Sequence, residues 1–348
     1  MDKWLQFLEG QGARNGGEPG ALDFNSANSA AEGRPAGFLA PLADLGLIAL
    51  SGEDAASFLH NQITNDVEHL AHDQARLAGY CSPKGRLLAT FLMWKTGDTI
   101  FLQLPREILP AIQKRLQMYV LRAKAKLADA SDAHTALGIV GDAATAVLAK
   151  HFPHLPATPY AKTDSDAGSL LRLADAGGQP RYQWIVPADG AERAWLELAA
   201  ALPPAGPRAW RVSNIRAGIP HIAQATQEQF VPQMINFELI GGVNFKKGCY
   251  PGQEIVARSQ YLGKLKRRMM LAAVESATAK AGDEVFSIAD REQPCGMIVN
   301  AERVSENASA CLVELKLAAL DAGTIHLGGI DGPELRFEAL PYELKDPE

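Results

Sequence analysis

Up to about residue 200, short apolar runs of period two are interleaved with stretches where apolar residues recur every three or four positions. That is the pattern of mixed strands and helices. Residues 45–50 read as an apolar strand, and Ser51-Gly52-Glu53-Asp54 after it has the residue types of a capping box. The helix it opens places Ala55, Phe58, Leu59 and Ile63 on one face. Residues 76–81 and 86–94 read as strands joined by Ser82-Pro83-Lys84-Gly85, which has turn chemistry. Residues 99–104 form another strand, and Pro105 starts a helix whose core stripe is Ile108, Ile112, Leu116 and Tyr119. Strands at 137–140, 169–173 and 182–186 and helices at 143–150 and 191–202 follow, before Pro203-Pro204-Ala205-Gly206-Pro207 breaks the chain. After Arg268 the rhythm is of short strands with turns at Gly282-Asp283, Gly296 and Gly328-Gly329, as in a small all-β barrel. Residues 10–37, rich in Gly, Ala, Ser, Asn and Pro, read as a mobile loop after a short helix.

Length and composition narrow the class. A chain of 348 residues, 47% hydrophobic and 21% charged, suits two or three globular domains that need no disulfide or metal staple. No apolar run reaches the ~18 residues of a membrane span, and the N-terminal residues lack the apolar core of a signal peptide. The four cysteines, Cys81, Cys249, Cys295 and Cys311, form no CxxC pair, and no histidine lies within 25 positions of Cys249. A zinc or iron–sulfur site held by this chain alone is not expected, and the protein reads as cytoplasmic and reduced.

Net charge is −6, which does not favour nucleic acid as a general partner. Between Gly241 and Val274, however, seven basic residues (Lys246, Lys247, Arg258, Lys264, Lys266, Arg267, Arg268) face one acid, Glu254. A solvated face and an anion site both remain open as readings of that run. Strand alternation would put Lys264, Lys266 and Arg268 on one face, bordering a ligand mouth or a partner surface.

The same stretch holds the candidate chemistry. In Lys246-Lys247-Gly248-Cys249-Tyr250-Pro251-Gly252-Gln253-Glu254-Ile255-Val256-Ala257-Arg258, Pro251 suits a first helical position and Gln253 and Glu254 a first turn, with Gly263 as the C-terminal cap. Cys249 then precedes a helix N-terminus with two lysines beside it, a setting that favours thiolate over thiol. Gly248 and Gly252 allow the backbone to approach a ligand. A tight loop around an inert, buried cysteine fits the same spacing.

Lys-Gly-Cys-Tyr-Pro-Gly-Gln-Glu followed by Val256-Ala257-Arg258 resembles the signature of the YgfZ family of folate-binding proteins, relatives of the glycine-cleavage T-protein (aminomethyltransferase). Phe230-Val231-Pro232-Gln233, Gly241-Gly242-Val243-Asn244-Phe245, Asn214 with Ala217-Gly218-Ile219-Pro220, Gly52 through Val67, and Leu340-Pro341-Tyr342 agree with it, so the likeness spans roughly residues 40–345. It implies a T-protein-like α+β fold: two α+β subdomains in residues 1–262, then a C-terminal β-barrel in 263–348, around a central folate channel. It also implies Cys249 as the working residue, and Lys247, Gly248, Gln253, Glu254, Arg258 and Trp210 as folate-binding residues. Trp210 falls where the family places a tryptophan beside the folate. The T-protein's carboxylate hairpin is not matched, because the corresponding strand has Ala89 and Thr90. Classical aminomethyl transfer is therefore not expected. The implied role is a monomeric tetrahydrofolate-binding accessory protein for iron–sulfur clusters in client enzymes, tRNA-modifying ones included. Its partners would be those clients or their assembly machinery. A folate-dependent one-carbon transferase is the alternative, and an RNA-binding module using the basic run is a third reading.

Overall fold

The computed structural model describes residues 2–15, 22–24, 37–261 and 265–345. Packing divides the chain into two units, each assembled from three separate segments. The first comprises Met1–Ala55, Leu70–Arg76 and Met93–Ser213, and the second Ala56–His69, Leu77–Leu92 and Asn214–Glu348. The C-terminal sheet and the cysteine motif share the second unit.

Unit 1 contains a five-stranded antiparallel sheet in the order Lys162–Ser165, Gly168–Ala176, Gln179–Pro187, His134–Val140, Phe38–Pro41. Its strands supply Leu137, Ile139, Leu170 and Trp184 to a core completed by Trp195 and Leu198 of the helix Ala191–Ala199. That helix buries Ala191, Ala194, Trp195 and Leu198, the 3.6-residue spacing of its sequence. The strand Leu45–Ser51 pairs antiparallel with both Thr99–Pro105 and Lys126–Asp129. The helix Leu109–Gln117 buries Leu109, Ile112 and Leu116. It ends before Tyr119, expected in the core stripe but 46% exposed. Pro105 is likewise the last residue of a strand, since the Arg106 N–H still bonds the Asp44 carbonyl at 2.9 Å. Within the stretch expected to be a loop, Ala13–Asn15 and Leu22–Phe24 pair as two short strands. Residues 16–21 and 25–36 of that stretch lie outside the described residues.

Unit 2 holds the tip of the expected hairpin between Ala75–Cys81 and Leu87–Thr96. Its turn closes with Gly85 N–H on Ser82 O at 2.9 Å, and Gly85 has φ +70°. The C-terminal part is a six-stranded antiparallel sheet in the order Ile325–Leu327, Glu284–Ser287, Gly296–Arg303, Ser309–Lys316, Arg267–Val274, Leu335–Glu338. Its two ends approach one another through the His326–Glu334 bridge. The sheet is therefore curled into a half-barrel around Val285, Ile298, Val313, Leu315 and Ile325. Gly296, expected in a turn, lies in a strand instead: a Cβ there would sit 2.1 Å from the Glu314 carbonyl, so the glycine serves close strand packing.

Candidate functional site

The site in unit 2 is built on the residues that follow the helix Ala55–His60. The Thr64 hydroxyl donates to Gly242 O at 2.6 Å and accepts from the Gly79 N–H at 2.7 Å. The Asn65 amide donates to Leu77 O and Gly241 O, both at 2.7 Å. Two buried polar side chains thereby tie residues 241–242 to the strand Ala75–Cys81, and residues 246–252 start from a fixed point.

Lys247 completes the platform. Its side chain is buried, and Nζ donates to Ile63 O at 2.9 Å and to His60 O. The His60 carbonyl ends a helix and the Ile63 carbonyl lies just past it, where acceptors lack intrahelical donors, so the ammonium serves as a C-terminal cap. It also lies 4.9 Å from the centroid of the buried Tyr250 ring. Burial draws the Lys247 ammonium down to about 8 and raises the Tyr250 phenol.

The next two residues, Gly248 and Cys249, are exposed. Cys249 is the exposed member of the four free thiols. Burial pushes Cys81 and Cys311 up to about 12 and raises Cys295, which leaves those three as packed, unreactive groups. Cys249 is thus not the buried cysteine of the alternative reading.

Gly252 fixes the far side of the loop. It has φ +81°, and a Cβ there would lie 2.5 Å from Ser82 O and 2.6 Å from Gly85 N and Cα. Gly85 answers from the hairpin, where a Cβ would come 2.8 Å from Ile255 Cβ. Two glycines thus let the motif and the hairpin turn touch through their backbones. Gly252→Ala is expected to cost about 1–3 kcal/mol through left-handed strain and overpacking. A shifted urea midpoint at unchanged slope would show it, and an unshifted midpoint would mean the turn simply moves aside.

The motif helix, Gln253–Tyr261, starts two residues later than the position expected for Pro251, because a left-handed Gly252 interrupts any helix at that point. Its Val256 is buried, and the Val256 carbonyl accepts from the buried Gln233 amide at 2.8 Å. Gln253 is half-buried. Glu254 and Arg258 pair with each other at 3.2 Å on the exposed face. An exposed pair of this spacing adds little stability. Gly263 and Lys264 lie outside the described residues.

The remaining expected residues are mostly buried or paired. Trp210 belongs to unit 1, where it is 2% exposed. Its indole packs on Gly138, with the Arg181 guanidinium 5.0 Å from the ring centroid. It is thus a core residue with no open face for a flat ligand. The basic run is also mostly committed. Arg268 is 3% exposed and pairs with Glu238, which is 4% exposed. Arg267 forks onto Glu314, its Nη2 at 2.9 Å from Oε2. Only Lys266 of residues 266–268 is exposed. Among the described residues of the expected basic face, Arg268 is turned inward and Lys266 is exposed, because an acid distant in sequence lies opposite each arginine.

Sequence spacing missed His60 and Asp66. His60 Nδ1 lies 3.2 Å from Asp66 Oδ1, and its Nε2 is 3.6 Å from where a Cβ on Gly248 would be. The only sequence signal was that both lie within the segment 52–67. Among the described residues no group of three His, Cys, Asp or Glu is placed to hold a metal, and no helix is long and apolar enough to cross a membrane. Unit 1 separately contains a cavity of about 500 Å³ lined by Trp4, Leu47, Gln103, Ser131, His134 and Glu192 among others.

Residues 31–245 match the family model of the GCVT N-terminal domain. A tRNA-modifying protein YgfZ from Klebsiella pneumoniae is 32% identical over 311 residues, 88% of this chain and 94% of the relative. One from Escherichia coli is 29% identical over 312 residues, with the same coverage. Among solved structures, the glycine cleavage system aminomethyltransferase T of Bartonella henselae matches with a TM-score of 0.79 at 16% identity, covering 97% of this chain and 96% of that one. That likeness establishes the T-protein-like α+β fold. With the family model matching more than half of the chain and a relative above 30% identity over most of its length, this chain belongs to the YgfZ family of GCVT-domain proteins.

Proposed function

We propose that the protein is a cytoplasmic, tetrahydrofolate-binding accessory factor that supports assembly or repair of iron–sulfur clusters in client enzymes, tRNA-modifying ones among them, with Cys249 as its working thiol. The observation carrying this reading is the motif loop. It presents one exposed thiol while Thr64, Asn65, Lys247 and Gly252 hold the backbone on either side. The relatives' name, tRNA-modifying protein, supports the client class.

Two of the residues assigned to folate by resemblance are already engaged within their own units. Trp210 is enclosed in unit 1 and Lys247 is bonded to carbonyls. Folate binding is therefore proposed from family and fold. A folate-dependent one-carbon transferase is the second reading, favoured by the full-length likeness to an aminomethyltransferase. Against it, Ala89 is fully buried and the Thr90 hydroxyl is bonded to the Ile222 N–H at 3.1 Å, so that strand offers no carboxylate.

The deciding experiment is anaerobic calorimetric titration of tetrahydrofolate into wild type and Cys249→Ser. Binding by both is expected, with activation of a cluster-dependent tRNA-thiolating enzyme lost only in the variant. Absence of heat in both proteins would remove folate from the proposal. Turnover of an aminomethyl donor would establish the transferase instead.

A further inference from the structure

In unit 1 the residues that follow the helix Leu109–Gln117 hold large apolar side chains in water. Met118 is 60% exposed, Tyr119 46% and Leu121 87%, although the same helix buries Leu109, Ile112 and Leu116. The backbone carrying them is fixed. The Tyr119 N–H bonds Leu116 O at 3.0 Å, and the Ala123 N–H closes a turn on Val120 O at 2.8 Å. Leu121 sits in that turn at φ +46°, a left-handed conformation that glycine or asparagine adopts more readily. The turn gives no reason for a leucine, and the side chain fills no core. Neighbouring large apolar residues held outward mark an interaction surface. The charges around them are of one sign. Between Glu107 and Asp129 the chain has Lys114, Arg115, Arg122, Lys124 and Lys126 and no acid, in a protein of net charge −6. Lys114 and Arg115 lie in the last helical turn, where the helix dipole favours cations. Arg122 and Lys126 have no such reason. The Met118 N–H bonds Lys114 O at 3.2 Å, so these two residues are one turn apart on one side. Among the described residues only Lys124 of the five is in an ion pair, with Glu53 at 2.7 Å. Lys114, Arg122 and Lys126 are exposed.

These features select among occupants. An isologous contact with a second copy of the chain would set one basic cluster against the other. A single-stranded RNA would stack on Tyr119 and leave Leu121 in water. An anionic lipid surface uses every element: aliphatic side chains enter the acyl boundary, a tyrosine lies among the headgroups and long basic side chains reach the phosphates. We propose that residues 114–126 form a peripheral docking site for an anionic lipid bilayer. Met118 and Leu121 insert, Tyr119 lies at the interface, and Lys114, Arg122 and Lys126 meet the phosphates. No segment crosses the bilayer, and neither folate nor Cys249 takes part.

The test is sedimentation of the full-length protein with vesicles of phosphatidylcholine alone, and of equal parts phosphatidylcholine and phosphatidylglycerol. Wild type is expected in the pellet with the anionic vesicles only, in an association that weakens as salt is raised. Leu121→Gly removes the inserted side chain and suits the left-handed turn, so it tests docking without straining the fold. It is expected to weaken partitioning by roughly tenfold, the share of one buried leucine. Arg122→Gln combined with Lys126→Gln changes exposed side chains alone. It should weaken partitioning by roughly 30-fold, the share of two basic side chains at an anionic surface. Circular dichroism confirms the fold of each variant. Wild type remaining in the supernatant with the anionic vesicles, or variants that partition as wild type does, would overturn the proposal. A native-gel shift of bulk tRNA that the double variant loses, without any vesicle binding, would overturn it in favour of RNA. Each of these results leaves folate binding and client activation untouched, so the two proposals fail separately.

Discussion

Arg268→Ala is expected to destabilise the protein by about 3–5 kcal/mol, the cost of leaving one partner of a buried ion pair alone. Arg268 and Glu238 are 3% and 4% exposed. The guanidinium also donates to Gln233 O at 3.2 Å and to Lys345 O at 2.8 Å, so its loss frees three acceptors at once. Burial already raises the Glu238 carboxyl above the usual glutamate range, with Arg268 opposing the shift. Removing the arginine lifts it further. A folded-state carboxyl that binds protons more readily than the unfolded one loses relative stability as pH rises through its titration. The deficit of Arg268→Ala should therefore be largest at and above neutral pH and shrink as the medium is acidified. Urea midpoints across that range measure it. A double variant, Arg268→Met with Glu238→Leu, should recover most of the loss, and equal deficits at all pH values would mean that Glu238 reaches solvent.

Lys247→Met removes the donor that serves His60 O and Ile63 O and should cost about 2–6 kcal/mol, from ~1–3 for each buried acceptor left unmade. The loss has a pH signature. Burial takes the Lys247 ammonium from 10.5 to about 8, so between those values the unfolded chain holds a proton that the folded chain has released. Stability contributed through this group therefore rises with pH over that interval. The gap between wild type and Lys247→Met, read from urea midpoints, should widen from pH 8 toward 10.5. A constant gap would place the ammonium in contact with solvent. Since the methionine keeps the aliphatic volume, a fall in stability is assigned to the lost hydrogen bonds and not to packing.

The alternation of strand and helix up to residue 200 and the short-strand rhythm after Arg268 were legible because burial on one face imposes a period on any sequence. Leu109, Ile112 and Leu116 behave that way, and Tyr119 fails only because the helix ends first. The motif was legible as a resemblance, but its local geometry was not. Pro251 has the chemistry of a first helical residue, yet Gly252 takes the left-handed conformation that its contact with Ser82 and Gly85 requires, and the helix waits for Gln253. The charges at Lys266, Arg267 and Arg268 could not be read from their own spacing, since Glu238 and Glu314 decide their fate from 30 and 47 residues away. For the same reason a search for histidines near Cys249 in sequence could not find His60.

The Lys247–Ile63 hydrogen bond also sets a timetable. Its two residues are 184 positions apart in the chain. At a ribosomal rate of about 5–20 residues per second, the Ile63 carbonyl is made roughly 10–40 s before its donor. During that interval residues 56–69 and 77–92 belong to a unit whose remainder, from Asn214 onward, is unsynthesised. Nascent chains arrested just past Ser213 should therefore bring Thr64 and Asn65 out with their buried amide and hydroxyl still hydrated, and hold a surface for chaperones that the finished protein does not show.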